Sequence, residues 1–188
     1  MEQHRFENEK QIRERLEAQE TLSNSERELL ERLQGKQPTL NLGGQLYYVN
    51  YRAEYLERQG TWMDIGIKFD DLEDFYREDY SSCDLPYNCK THQVVTAIGD
   101  LENLLEMPKD ILIISIPPPH IMDRVGYARN GGGSLSEVIR ENPQIQHFEG
   151  KVLNGKDNWL EQVINRNRKQ MGIPPLAKKN TRARRRSR

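Results

Sequence analysis

Ile111-Leu-Ile-Ile-Ser-Ile116 is the most hydrophobic run in this chain, and it constrains the fold more than any other stretch. Pro108 precedes it closely and Pro117-Pro118-Pro119 follow it at once, so no helix can extend through it. A six-residue run rich in β-branched side chains and lacking polar alternation reads as a strand buried on both faces. Other strands must flank it and other elements must cover it. With 35% hydrophobic and 30% charged residues among 188, the chain can supply one modest core but not a large interior. A domain of about 100–150 residues plus extensions is the expectation for this length.

Local signals fill in the surroundings. Residues 1–20 are nearly all polar, with Phe6, Ile12 and Leu16 forming a thin apolar stripe on a charged helix. Such a stripe needs covering, by a partner or by residues 26–34. Ser25-Glu-Arg-Glu28 reads as a capping box opening a helix over 26–34, which Gly35 ends. Leu40 and Leu42 alternate with polar neighbours, and Gly43-Gly44 suits the turn of a hairpin returning through Leu46–Tyr51. Further expectations are a strand over 61–69, an acid-led helix over 70–79, a short strand over 93–98 and a helix over 101–107 capped by Asp100. After the prolines comes an irregular stretch to Asn130, then a second capping-box pattern at Ser134-Leu-Ser-Glu137 ahead of Val138 and Ile139. A final helix capped by Asp157 follows, with Trp159, Leu160, Val163 and Ile164 on one face and Gly172-Ile-Pro-Pro175 ending it. The architecture is therefore α+β, with a small mixed or antiparallel sheet, a helical N-terminal arm, and a C-terminal helix followed by a basic tail. The expected boundaries are an arm over 1–37, a domain over 38–172 and a tail over 173–188.

The formal net charge of −1 hides a sharp asymmetry. No acidic residue follows Glu161, while ten Lys and Arg do; the first 161 residues carry 18 basic and 29 acidic residues. An acidic body thus ends in a cationic tail, which points to an anionic partner. Lys178, Lys179, Arg182, Arg184, Arg185, Arg186 and Arg188 fall within eleven residues, interleaved with small polar side chains and no aromatics. That pattern suits sequence-independent, salt-dependent neutralisation of phosphates. It lacks the aromatics on which bases stack.

Three other constellations compete. Cys83, Cys89 and His92 lie within ten residues and are candidate metal ligands, but structural zinc wants four ligands and no second local pair is present. The alternative is a proline-containing linker with free thiols. Arg129-Asn-Gly-Gly-Gly-Ser134 precedes a helix, as an anion site would, yet it lacks the spacing of a phosphate-binding loop. Asp64, Asp70, Asp71, Glu73, Asp74, Glu78 and Asp79 crowd beside Lys68, but no later Glu-x-Lys pattern completes a nuclease, and a solvated helix face explains them. No Gly-x-Ser-x-Gly or His-Glu-x-x-His is present.

The expectation is a non-enzymatic accessory protein of a larger assembly, without a cofactor. It would contact nucleic-acid backbone through the tail and a protein partner through the N-terminal helices. Two alternatives are an acidic inhibitor or anti-defence protein that mimics nucleic acid, and a small metal-dependent enzyme. No run of about 18 apolar residues marks a membrane span. The charged N-terminus suits neither a secretory signal nor a transit peptide, so a cytoplasmic setting is expected.

Overall fold

Two overlapping Ser-x-x-Glu frames, Ser23–Glu26 and Ser25–Glu28, compete to start the second helix, and the chain uses the earlier one. In the computed structural model, which describes residues 9–60, 66–135, 137–138 and 147–177, the Ser23 hydroxyl accepts from the Glu26 N–H at 3.3 Å. The Glu26 carboxylate accepts from the Ser23 N–H at 2.9 Å. This corrects the expected Ser25–Glu28 box. Capping at Ser23 sets Leu22 just outside the helix, where it packs against the core that Leu29 and Leu33 enter. The helix ends as glycine dictates: the Gly35 N–H donates to the Arg32 carbonyl and the Lys36 N–H to the Glu31 carbonyl, with Gly35 at φ 107°. This is the Schellman arrangement.

The described residues divide into two compact units, one drawn from Met1–Leu85 and Ile114–Lys151, the other from Pro86–Ile113 and Val152–Arg188. The first holds α1 (Glu9–Glu17), α2 (Asn24–Leu33), β1 (Thr39–Leu42), β2 (Gln45–Asn50), β3 (Tyr55–Arg58) and β4 (Ile67–Lys68). The strand β5 (Cys83–Asn88) passes into the second unit, which continues with β6 (Gln93–Val94) and α3 (Gly99–Glu102). The strand β7 (Ile111–Ile116) leads back to the first unit and to α4 (Pro119–Met122), α5 (Arg124–Tyr127) and β8 (His147–Glu149). After β9 (Lys151–Val152), the helix α6 (Trp159–Gln170) belongs to the second unit.

The protein is α+β with mixed sheets, N-terminal helices and a C-terminal helix. One sheet runs β4-β3-β2-β1-β8, with β1 parallel to β8 and the other pairs antiparallel. The other runs β6-β5-β7-β9. The Gly43-Gly44 hairpin forms as expected, with both glycines at positive φ and Leu42 opposite Gln45. In β7, the adjacent residues Ile113 and Ile114 are both fully buried, so both faces are covered.

Several expectations are revised. The acidic run 70–79 makes only a six-residue 3-10 helix, Asp70–Phe75, because Tyr76 turns extended and bridges Cys83. The helix expected over 101–107 shrinks to α3, which has no side-chain cap. The strand expected over 93–98 shrinks to β6. The irregular stretch after the prolines instead contains α4 and α5, with Pro119 at the start of α4, where a missing N–H costs nothing. The cap of α6 is Asn158, not Asp157; its side chain accepts from the Glu161 N–H at 3.1 Å. Of the strand expected over 61–69, residues 61–65 lie outside the described residues and 67–68 form β4. Phe6 and Ile139 also lie outside them.

The first unit buries Ile12, Leu16, Leu29, Leu33, Val125 and Val138 in one cluster, so the stripe on α1 is covered from within the chain. The second buries Leu101, Ile113, Leu153, Leu160 and Ile164, with Leu176 packed against them.

Candidate nucleic-acid interface

Residues 162–177 are the described start of the acid-free stretch. The helix α6 places Leu160 and Ile164 in the core of its unit and turns Arg166 and Lys169 to solvent. Neither Arg166 nor Lys169 forms an ion pair among the described residues. Arg168 is occupied differently. It donates to the carbonyls of Pro174 and Leu105, the latter at 2.9 Å, while Asn167 donates to the carbonyls of Glu102 and Leu104 at 2.6 and 3.0 Å.

The end of α6 is shaped by glycine. Gly172 takes φ 70°, its N–H donates to the Lys169 carbonyl, and the Ile173 N–H donates to the Arg168 carbonyl at 2.7 Å. The chain then runs back along the helix, and the Leu176 N–H donates to the Asn165 side chain at 2.8 Å. Between the last turns of α6 and this returning segment lies a cleft of about 680 Å³, lined by Asn165, Arg166, Lys169, Gly172, Ile173, Pro174 and Pro175. Beside it Met171 is 68% exposed. The seven cations singled out in the sequence, Lys178, Lys179, Arg182, Arg184, Arg185, Arg186 and Arg188, lie outside the described residues and follow directly.

The cysteine segment has a different character from the one its spacing suggested. Cys83, Leu85 and Tyr87 alternate into the core along β5, so this stretch is strand, not linker. Pro86 lies within the strand, and its carbonyl accepts from the Val95 N–H at 2.8 Å. Cys89 to His92 form the four-residue loop of the β5–β6 hairpin, in which Asn88 pairs with Gln93 and its side chain accepts from the N–H groups of Lys90 and Thr91. Cys83 therefore opens β5 as a buried residue, whereas Cys89 and His92 belong to the loop that follows the strand. Burial pushes the Cys83 thiol up to about 12, the Asp84 carboxylate adds to the rise, and a hydrogen bond with Tyr76 opposes it. Burial, then Asp110, also raises the Cys89 thiol. Metal ligation and nucleophilic attack both need the thiolate, which these environments disfavour. The His92 ring meets the Tyr87 hydroxyl at 3.0 Å. Both thiols are free, and among the described residues no group of three or more His, Cys, Asp or Glu is placed to hold a metal ion.

The glycine-loop reading loses its cation. Arg129 is committed to the Glu9 carboxylate and to the Leu33 carbonyl. The hydrogen bond from Arg129 is the main cause that holds the Glu9 carboxyl below its ordinary value. Gly132 lies against the Tyr127 ring, where a Cβ would come within 2.1 Å of it. The glycines thus serve packing and a tight turn. In the acidic run, Glu73, Asp74, Glu78 and Asp79 are exposed, and Asp79 accepts from the Ser81 N–H and hydroxyl.

The fold and site define an α+β protein with an acidic body and a cationic ledge leading to a cationic C-terminal stretch. In comparisons with known proteins, this chain matches no protein-family model, no curated protein and no solved structure. Among the described residues, no helix is long and apolar enough to cross a membrane.

Proposed function

We propose that this protein is a non-enzymatic accessory component of a larger assembly, holding nucleic-acid backbone through Lys178, Lys179, Arg182, Arg184, Arg185, Arg186 and Arg188. The observation that carries this reading is the charge partition: ten cations and no acid after Glu161, against a net of −11 before it. An acidic body repels nucleic acid, so attraction concentrates at one end, and binding there depends on salt. The exposed Arg166 and Lys169 extend the same sign of charge onto folded structure. The apolar faces of α1 and α2 are spent in their own core, so a protein partner engaging them meets their charged outer faces. Two unbridged thiols suit a reducing, cytoplasmic setting.

The test is oligonucleotide binding across a salt series, comparing the full chain with a full-length variant carrying Arg→Gln at 182, 184, 185, 186 and 188. Each lost phosphate contact removes about 0.9 from the logarithmic salt slope on duplex DNA, so with five arginines replaced the slope should flatten by up to about 4.5 and affinity at low salt should fall at least about tenfold. Equal affinity and equal slope for the two proteins would overturn the reading.

A further inference from the structure

Resting on that reading, we infer that the cleft at the end of α6 is a single-stranded nucleic-acid subsite, with the backbone phosphate on Arg166 and Lys169 and the base against Ile173, Pro174 and Pro175. Three features of the cleft point the same way. Its rim is cationic, and the two rim cations make no ion pair among the described residues. Its wall carries the apolar side chains of Ile173, Pro174 and Pro175, and Met171, two residues before Ile173, is 68% exposed. Its outer wall, Pro174–Pro175, leads within a few residues into the seven-cation stretch, so a polyanion held there is delivered to the cleft by the covalent chain.

About 680 Å³ lies within the range of small-ligand clefts, roughly 300–1,000 Å³, and has room for a nucleotide. An unstacked base offers a flat apolar face, and arginine guanidinium planes stack on such faces while also meeting phosphate. Three interactions keep the cleft in shape without using its rim cations: Arg168 on the Pro174 carbonyl, Asn165 on the Leu176 N–H, and the turn at Gly172. The cleft, itself without aromatics, adds an apolar face to the cationic sequence that follows it.

The experiment uses the full chain, a labelled oligo(dT) 20-mer, a 20-base-pair duplex and a poly-glutamate peptide as probes. Methyl resonances of Ile173 and Met171 are followed during titration, and affinities are compared for Arg166→Gln/Lys169→Gln and for the tail variant above. Oligo(dT) should shift the Ile173 methyl, the duplex should not, and the cleft double variant should lose about tenfold in single-strand affinity with a smaller loss on duplex. If oligo(dT) binds but leaves Ile173 unmoved and the cleft variant binds normally, the cleft proposal falls while the tail reading stands. If poly-glutamate shifts Ile173 as strongly as oligo(dT), the cleft is a peptide dock and the proposal is overturned. If Ile173 shifts and the tail variant binds like the parent protein, the cleft is upheld and the tail reading falls.

Discussion

Asp123 is only 1% exposed, yet it carries a charge, and its surroundings explain why that is tolerated. Arg32 donates to both carboxylate oxygens, from Nε at 2.8 Å and from Nη2 at 2.6 Å, and the Gly126 N–H adds a third hydrogen bond at 2.9 Å. The side chain is at once one half of a buried bidentate pair and the N-cap of α5. Breaking such a pair from one side strands a desolvated charge, whereas replacing both halves removes the problem. Asp123→Ala is therefore expected to lower stability by about 3–5 kcal/mol, measured by urea unfolding. The double variant Arg32→Met/Asp123→Leu should cost clearly less than the single variants Arg32→Met and Asp123→Leu combined. Additive losses would mean that the two side chains act separately. Gly126 is bound to the same arrangement, since a Cβ there would sit 2.1 Å from Asp123 Oδ2 and 2.7 Å from the Tyr51 Cβ.

At the scale of elements, the clearest outcome is the register of α2. Ser23→Ala removes the hydroxyl that accepts from the Glu26 N–H and should cost about 1 kcal/mol, whereas Ser25→Ala, inside the first turn, should change stability by well under half of that; thermal unfolding of the two variants decides it. A larger loss at Ser25 would restore the later frame. The same comparison shows what was legible in the sequence. The Gly43-Gly44 hairpin and the proline-bounded strand β7 were readable because their signals are local: turn chemistry and period in one case, an uninterrupted apolar run in the other. The frame of α2 was not, because both frames satisfy the same local rule and a distant core decides between them. The strand β3, Tyr-Leu-Glu-Arg, carries no strand pattern of its own and is held by pairing to β2 and β4. The strand β5 was obscured by Pro86 and by two cysteines that drew attention to metal chemistry. Arg129 and Glu9 are 120 residues apart in sequence, so nothing near the glycine loop announced that its arginine was already engaged.

For the whole molecule, burial is shared among several groups of side chains: the strands bury Leu40, Leu42, Tyr47, Val49 and Leu56 among others, and the first and second units each hold the cluster described above. In the second, Leu160 is fully buried among Leu101, Ile113, Leu153 and Ile164, so Leu160→Ala should cost about 2–5 kcal/mol. Trp159 lies against that core, and its fluorescence in a Trp62→Phe background should report the change during urea unfolding. A shift of under about 0.5 kcal/mol would mean that this core is not a cooperative part of the fold. The charge of the candidate site was legible from the sequence; its cleft was not, because it exists only where residues 173–176 turn back on α6. That return also ties the cleft to the core. Leu176 packs against the cluster that holds Leu160 and Ile164, while its N–H donates to the Asn165 side chain, so the residue that closes the cleft also covers the core. Whatever loosens the packing of the second unit therefore opens the cleft with it, and the shape of that surface is inherited from the stability of the fold beneath it.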